Sequence, residues 1–136
     1  MDLRSVLAPR LVAHAHCDIP CGIYDPTAAK IAADTVAKMV EKITGAEATD
    51  LANRNTFIRS VQVKEEHAQI CKKELLILWT DYFKPEHLEK YPKLHDTFWK
   101  AAKLCSKNKQ SVDAKAAADL QAAVKEIADI FWATKK

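Results

Sequence analysis

Glycine is scarce in this sequence: only Gly22 and Gly45 occur among 136 residues, where average usage would give about 9. Little material is left for two-residue hairpin turns or for the Gly-rich loops that cradle phosphates. No run approaches the ~18 apolar residues of a membrane span, so no membrane partner is expected. A dense basic stripe interleaved with aromatics is also missing. The net charge is only +3, and the nearest basic candidates, Lys72-Lys73 and the stretch 103–109, read as solvated helix faces and loop. Nucleic acid is therefore not an expected partner, although a weak positive field helps a small anion approach. A secretory leader is lacking too. Such a leader needs ~7–15 uninterrupted apolar residues, but residues 1–15 are broken by Arg4, Pro9 and Arg10. The chain is expected to be cytoplasmic, where thiols are kept reduced.

What is present points to one helical domain. Apolar residues make up 49% and charged residues 29% of a 15.2 kDa chain, a balance that supports a buried core under a solvated surface. Asp25-Pro26 reads as a helix start, with Asp as N-cap and Pro at the first helical position. Ala32, Val36, Met39, Val40 and Ile43 then recur at helical spacing, and Gly45 ends the run. Phe57, Val61, Ala68, Cys71, Leu75, Leu78 and Tyr82 pattern a second helix, stopped by Pro85. Leu94, Phe98, Ala101 and Cys105 mark a third, opening near Pro92, and a polar stretch, Ser106–Ser111, separates it from the last. The fourth helix carries Leu120, Ala123, Val124, Ile127 and Phe131 on one side. The fold class expected is all-α, an antiparallel four-helix bundle.

Cys71 and Cys105 fall on the apolar seams, where free cysteine behaves as a small hydrophobe. Cys17 and Cys21 lie outside any expected helix, directly after His16, with Pro20 between them. On spacing alone, metal binding and a disulfide stand level for this pair. The neighbouring groups favour metal. Ala13-His14-Ala15 resembles a small-residue cleavage site. Cleavage after Ala15 would free the α-amine of His16, placing an amine, an imidazole, a backbone amide nitrogen and two thiolates within six residues. Adjacent amine and amide nitrogens chelate in a five-membered ring, and the Cys17 thiolate closes a second. Cys21, returning through the Pro20 turn, completes a planar N2S2 set. That geometry suits Ni(II) or Cu(II), whereas zinc prefers a tetrahedron. An axial imidazole stabilises a higher oxidation state.

The segment HCDIPCGIYDP resembles the metal hook of the nickel-containing superoxide dismutases, and the likeness continues through LWTDYFKPEHLEKYPKLH (78–95) and the terminal IFWATKK. The resemblance covers 16–136. It implies a pro-segment, 1–15, removed by a processing peptidase, and a four-helix-bundle domain, 16–136, with its hook at 16–24. It also implies a homohexamer with one nickel ion per subunit. By the same resemblance, His16 supplies amine and imidazole, Cys17 amide nitrogen and thiolate, and Cys21 a thiolate. Tyr24 matches the tyrosine that orders water and gates the substrate, and Asp18 matches the hook aspartate. The sequence departs from the family at Ala32 and His67, which stand where a glutamate and an arginine support the axial imidazole. Tyr82 falls in the family's DYFKP signature, near the hook of a neighbouring subunit. The implied activity is disproportionation of superoxide to oxygen and hydrogen peroxide by Ni(III)/Ni(II) cycling. The alternative is a nickel or copper storage protein without turnover.

Overall fold

The computed structural model describes residues 22–47 and 49–135. Its elements in chain order are α1 (Thr27–Thr44), α2 (Leu51–Ile77), a single π-helical turn (Leu78–Tyr82), α3 (Pro85–Lys90), α4 (Leu94–Gln110) and α5 (Ala114–Thr134). No strand occurs among the described residues. Helix α1 packs between α2 and α5, α2 also packs on α4, and α4 on α5, so the four long helices close into a ring. This is the expected antiparallel bundle. The faces turned inward carry Val36 and Val40 from α1, Leu75 from α2, Phe98 from α4, and Leu120, Ile127 and Phe131 from α5. Burying each of these side chains is worth roughly 1.5–3 kcal/mol.

The start of α1 is one residue later than the sequence suggests. Pro26, at φ −77°, occupies the cap itself, a value proline's ring imposes anyway. Asp25 Oδ1 accepts the Thr27 N–H at 2.6 Å instead of capping from the N-cap position. Asp50 caps α2 in the ordinary way, accepting from the Asn53 N–H at 2.8 Å.

Three other expectations shift. Phe57 and Val61 are only half-buried, and α2 turns Ser60 and Lys64 inward instead. The region expected as one third helix divides into α3, where Pro85 opens a short helix, and α4, which starts at Leu94 and not at Pro92. The stretch 106–110, read as a linker because it is polar, belongs to α4.

The buried Lys64 explains that last difference. Only 1% exposed, its Nζ donates to the carbonyl of Asn108 and to those of Lys109 and Ser111, each at 3.1 Å. These carbonyls lie at the C-terminal end of α4, where intrahelical partners run out and the helix dipole is negative. Burial pulls the Lys64 ammonium below its ordinary pKa, and the three oxygens offset that cost. Asn108 adds a second clamp, donating to the Leu104 carbonyl at 3.0 Å and to the Ala116 carbonyl at 2.9 Å. A polar sequence thus stays helical because its polar groups bind backbone.

Lys64→Met, which leaves these carbonyls buried and unpaired, is expected to lower unfolding free energy by about 2–4 kcal/mol. The exposed control Lys73→Met should stay within about 0.5 kcal/mol. Urea unfolding of both variants measures the difference.

Candidate metal centre

At the end of the bundle where α1 begins and α5 ends, the aromatic residues converge on Tyr82. The π-helical turn places it there: the Phe83 N–H closes on the Leu78 carbonyl, five residues back, at 3.1 Å. The wider turn rotates Tyr82 relative to a continued α-helix, a distortion found mostly at functional sites. Its ring centroid lies 4.4 Å from Phe131 and 5.8 Å from Tyr24. On another side it stacks on His87 at 5.8 Å, with 13° between the planes. Its hydroxyl and that of Thr134 are 3.0 Å apart. The ring is thus fixed by α3, by α5 and by the segment leading into α1.

Tyr24 is held from two directions. Its ring meets Tyr82, and its carbonyl accepts a hydrogen bond from Lys135 Nζ at 2.8 Å. The same ammonium sits 5.1 Å from the Phe131 ring centre and 5.6 Å from that of Trp132, close enough for cation–π attraction. A cleft of about 430 Å³ opens here, lined by Tyr24, Tyr82, Lys84, His87, Thr134 and Lys135 among others. Gly22 stands at its edge with φ +70°. Open space surrounds the place a Cβ would take, so the requirement for glycine is one of backbone conformation alone.

His87 Nδ1 accepts the Lys84 N–H at 3.0 Å. Its interaction with Tyr82 was not visible in the sequence, since His87 lies beyond the stop at Pro85 and a spacing of five matches no helix face. Lys135 and Thr134 were missed for a similar reason: a terminal polar pair carries no periodicity. His95 is exposed and accepts the Trp79 Nε1–H at 2.7 Å.

His16, Cys17, Asp18 and Cys21 lie outside the described residues. Among the described residues, no group of three or more His, Cys, Asp or Glu side chains could hold a metal. Cys71 and Cys105 are free and buried in the core. Ala32, 1% exposed, is part of that core and offers no hydrogen-bonding group. His67 is half-buried on α2, with Nδ1 2.9 Å from the Val63 carbonyl. The ligands expected from the sequence, His16, Cys17 and Cys21, precede the anchored Tyr24 by a few residues, and their nitrogen and thiolate donors are of a kind that suits nickel.

The family model described as nickel-containing superoxide dismutase matches residues 11–135. The chain belongs to that family. The superoxide dismutase [Ni] of Streptomyces coelicolor (strain ATCC BAA-471 / A3(2) / M145) is 40% identical over 134 residues, spanning 98% of each chain. That of Streptomyces seoulensis is equally similar, 40% over 134 residues. A native nickel superoxide dismutase structure superposes with a TM-score of 0.79 at 40% identity, covering 89% of this chain and 100% of that one. Superoxide dismutation with a nickel cofactor is the activity that membership of the nickel-containing superoxide dismutases carries.

The root of the hook should respond to pH through Asp25. The Thr27 side chain and then its backbone N–H hold the Asp25 carboxyl below the usual range. A depressed carboxylate stabilises the fold fully above its ordinary pKa, and that contribution is lost as pH falls through the lowered value. Asp25→Ala should therefore cost roughly 0.5 kcal/mol at neutral pH, a small figure because the group is exposed and screened. The difference from the parent should vanish in acid, as urea unfolding at neutral pH and below the Asp25 pKa will show.

Proposed function

We propose that this chain disproportionates superoxide to oxygen and hydrogen peroxide at a nickel ion held by His16, Cys17 and Cys21, with Tyr24 guarding the approach. The observation that carries the reading is the His16-Cys17-x-x-x-Cys21 segment running directly into Tyr24, whose ring and carbonyl are tied to the bundle by Tyr82 and Lys135. Nickel bound there would supply the one-electron chemistry that dismutation requires. His16 would hold it through its amine and imidazole, Cys17 through its amide nitrogen and thiolate, and Cys21 through its thiolate. Two thiolates make the oxidised state easier to reach, and the imidazole favours it further.

Tyr24 is assigned the water. A phenol both donates and accepts hydrogen bonds, so its hydroxyl can hold the water that carries protons toward the forming peroxide. Asp18 supports this arrangement within the hook. Ala32 and His67 stand here where the family has a glutamate and an arginine, so the His16 imidazole would have a different polar setting and basicity. The proposal includes assembly as a homohexamer. Trp99 and Trp132, 53% and 51% exposed, are suited to its interfaces, where large amphipathic aromatics are favoured. It also includes a cytoplasmic location, which keeps the hook thiols reduced.

Processing is part of the mechanism. While the Ala15–His16 bond is intact, the His16 nitrogen is an amide and cannot donate as an amine. Removal of residues 1–15, by a peptidase cleaving after Ala15, is expected to switch on both nickel incorporation and superoxide turnover. Equal turnover from a chain shown by mass spectrometry to be uncleaved would overturn the assignment. In the shortened chain, Cys17→Ser and Cys21→Ser should each abolish bound nickel and activity while circular dichroism shows the helices intact. Retained nickel in either variant would remove that cysteine from the ligand set.

A further inference from the structure

The two buried thiols have no part in the hook, yet they face each other. Cys71 on α2 and Cys105 on α4 are both 0% exposed and belong to the same core cluster, and a hydrogen bond joins their side chains. Ala68 and Ala101, also fully buried, lie one turn away on the same faces. The residues that follow the two cysteines meet as well: Lys72 Nζ donates to Ser106 Oγ at 3.1 Å at the half-buried rim. Each thiol is therefore one residue away from a side-chain bridge between the two helices.

We propose that Cys71 and Cys105 form an oxidisable dithiol that takes hydrogen peroxide, the product of the superoxide reaction, and closes to a disulfide joining α2 to α4. The source of the peroxide rests on the activity assigned above; the thiol chemistry does not. The pair is polarised. Cys71 donates to Cys105, which raises the Cys71 pKa and lowers that of Cys105, and the Lys72 ammonium favours the Cys105 thiolate further. The thiolate is the attacking form. Cys105 Sγ attacks one peroxide oxygen, the O–O bond breaks, and the departing hydroxide takes up a proton as water. Cys105 is then a sulfenic acid. Cys71 Sγ loses its proton, forms the S–S bond and displaces hydroxide, which leaves as a second water. Two thiols lose two electrons, and one peroxide gains them.

The test treats the full chain with added hydrogen peroxide under native conditions, then unfolds it with an alkylating agent and maps its peptides. A linked Cys71–Cys105 peptide, lighter by two hydrogens, is the expected product. Both thiols recovered in alkylated form, or either joined to Cys17, Cys21 or a second chain, would overturn the proposal. Two variants test the order of attack with dimedone, which labels sulfenic acid. Cys71→Ser keeps a hydroxyl donor beside Cys105, so Cys105 should be labelled, whereas Cys105→Ser should leave Cys71 unlabelled. Labelling of Cys71 without labelling of Cys105 would contradict the polarity assigned here. Because the peroxide is added, these results are independent of superoxide turnover.

Discussion

The contact on which the functional end of this molecule depends is the seat of the Tyr82 ring against Phe131. At 4.4 Å it is the shortest of the centroid separations around Tyr82, and it ties the π-helical turn to α5. Tyr24 then leans on the other side of the same ring. A hook of a few residues has little apolar surface of its own to order it. Tyr24, at its end, is where the described chain is fastened. Tyr82, Lys135 and the Pro26-capped start of α1 provide that fastening, each from a different element.

The bundle divides its chemistry by position. Its interior is apolar apart from Ser60, Lys64 and Asn108 among the described residues, and the two larger of these act on backbone carbonyls at the far end of α4. The opposite end holds the aromatic cleft. Rigid packing at one end and an anchored, short leader at the other suit an enzyme whose substrate is a small anion and whose reaction demands little movement. The cysteine usage follows the same division, with Cys71 and Cys105 in the core and the other two proposed as metal ligands.

The helical seams were legible because their spacing is carried by apolar residues. Val36 and Val40, Leu75, Phe98, and Leu120 through Phe131 all face inward as their periodicity suggests. The first half of α2 was misread because its inward face carries Ser60 and Lys64, while the apolar Phe57 and Val61 are half-buried. A lysine can occupy a core position only when carbonyls meet its ammonium, and those carbonyls come from 44–47 residues away. No local pattern encodes that. The π-helical turn escaped notice because Leu75, Leu78 and Tyr82 fit ordinary helical spacing whether or not one turn is widened. The proposed metal ligands could be named from the sequence for the opposite reason: amine, amide and two thiolates need no tertiary structure to be close. Tyr24 was recognised by its place beside the hook, but its partners Tyr82, His87 and Lys135 are brought to it only by the fold.

Electron paramagnetic resonance of the processed, nickel-loaded protein tests the central claim most directly, with and without histidine labelled in heavy nitrogen. If the hook holds nickel through an axial His16 imidazole, the oxidised form gives a low-spin nickel signal split by one nitrogen, and the splitting changes with the label. A nickel signal whose splitting is indifferent to the histidine label would contradict the account, as would processed protein that binds no nickel.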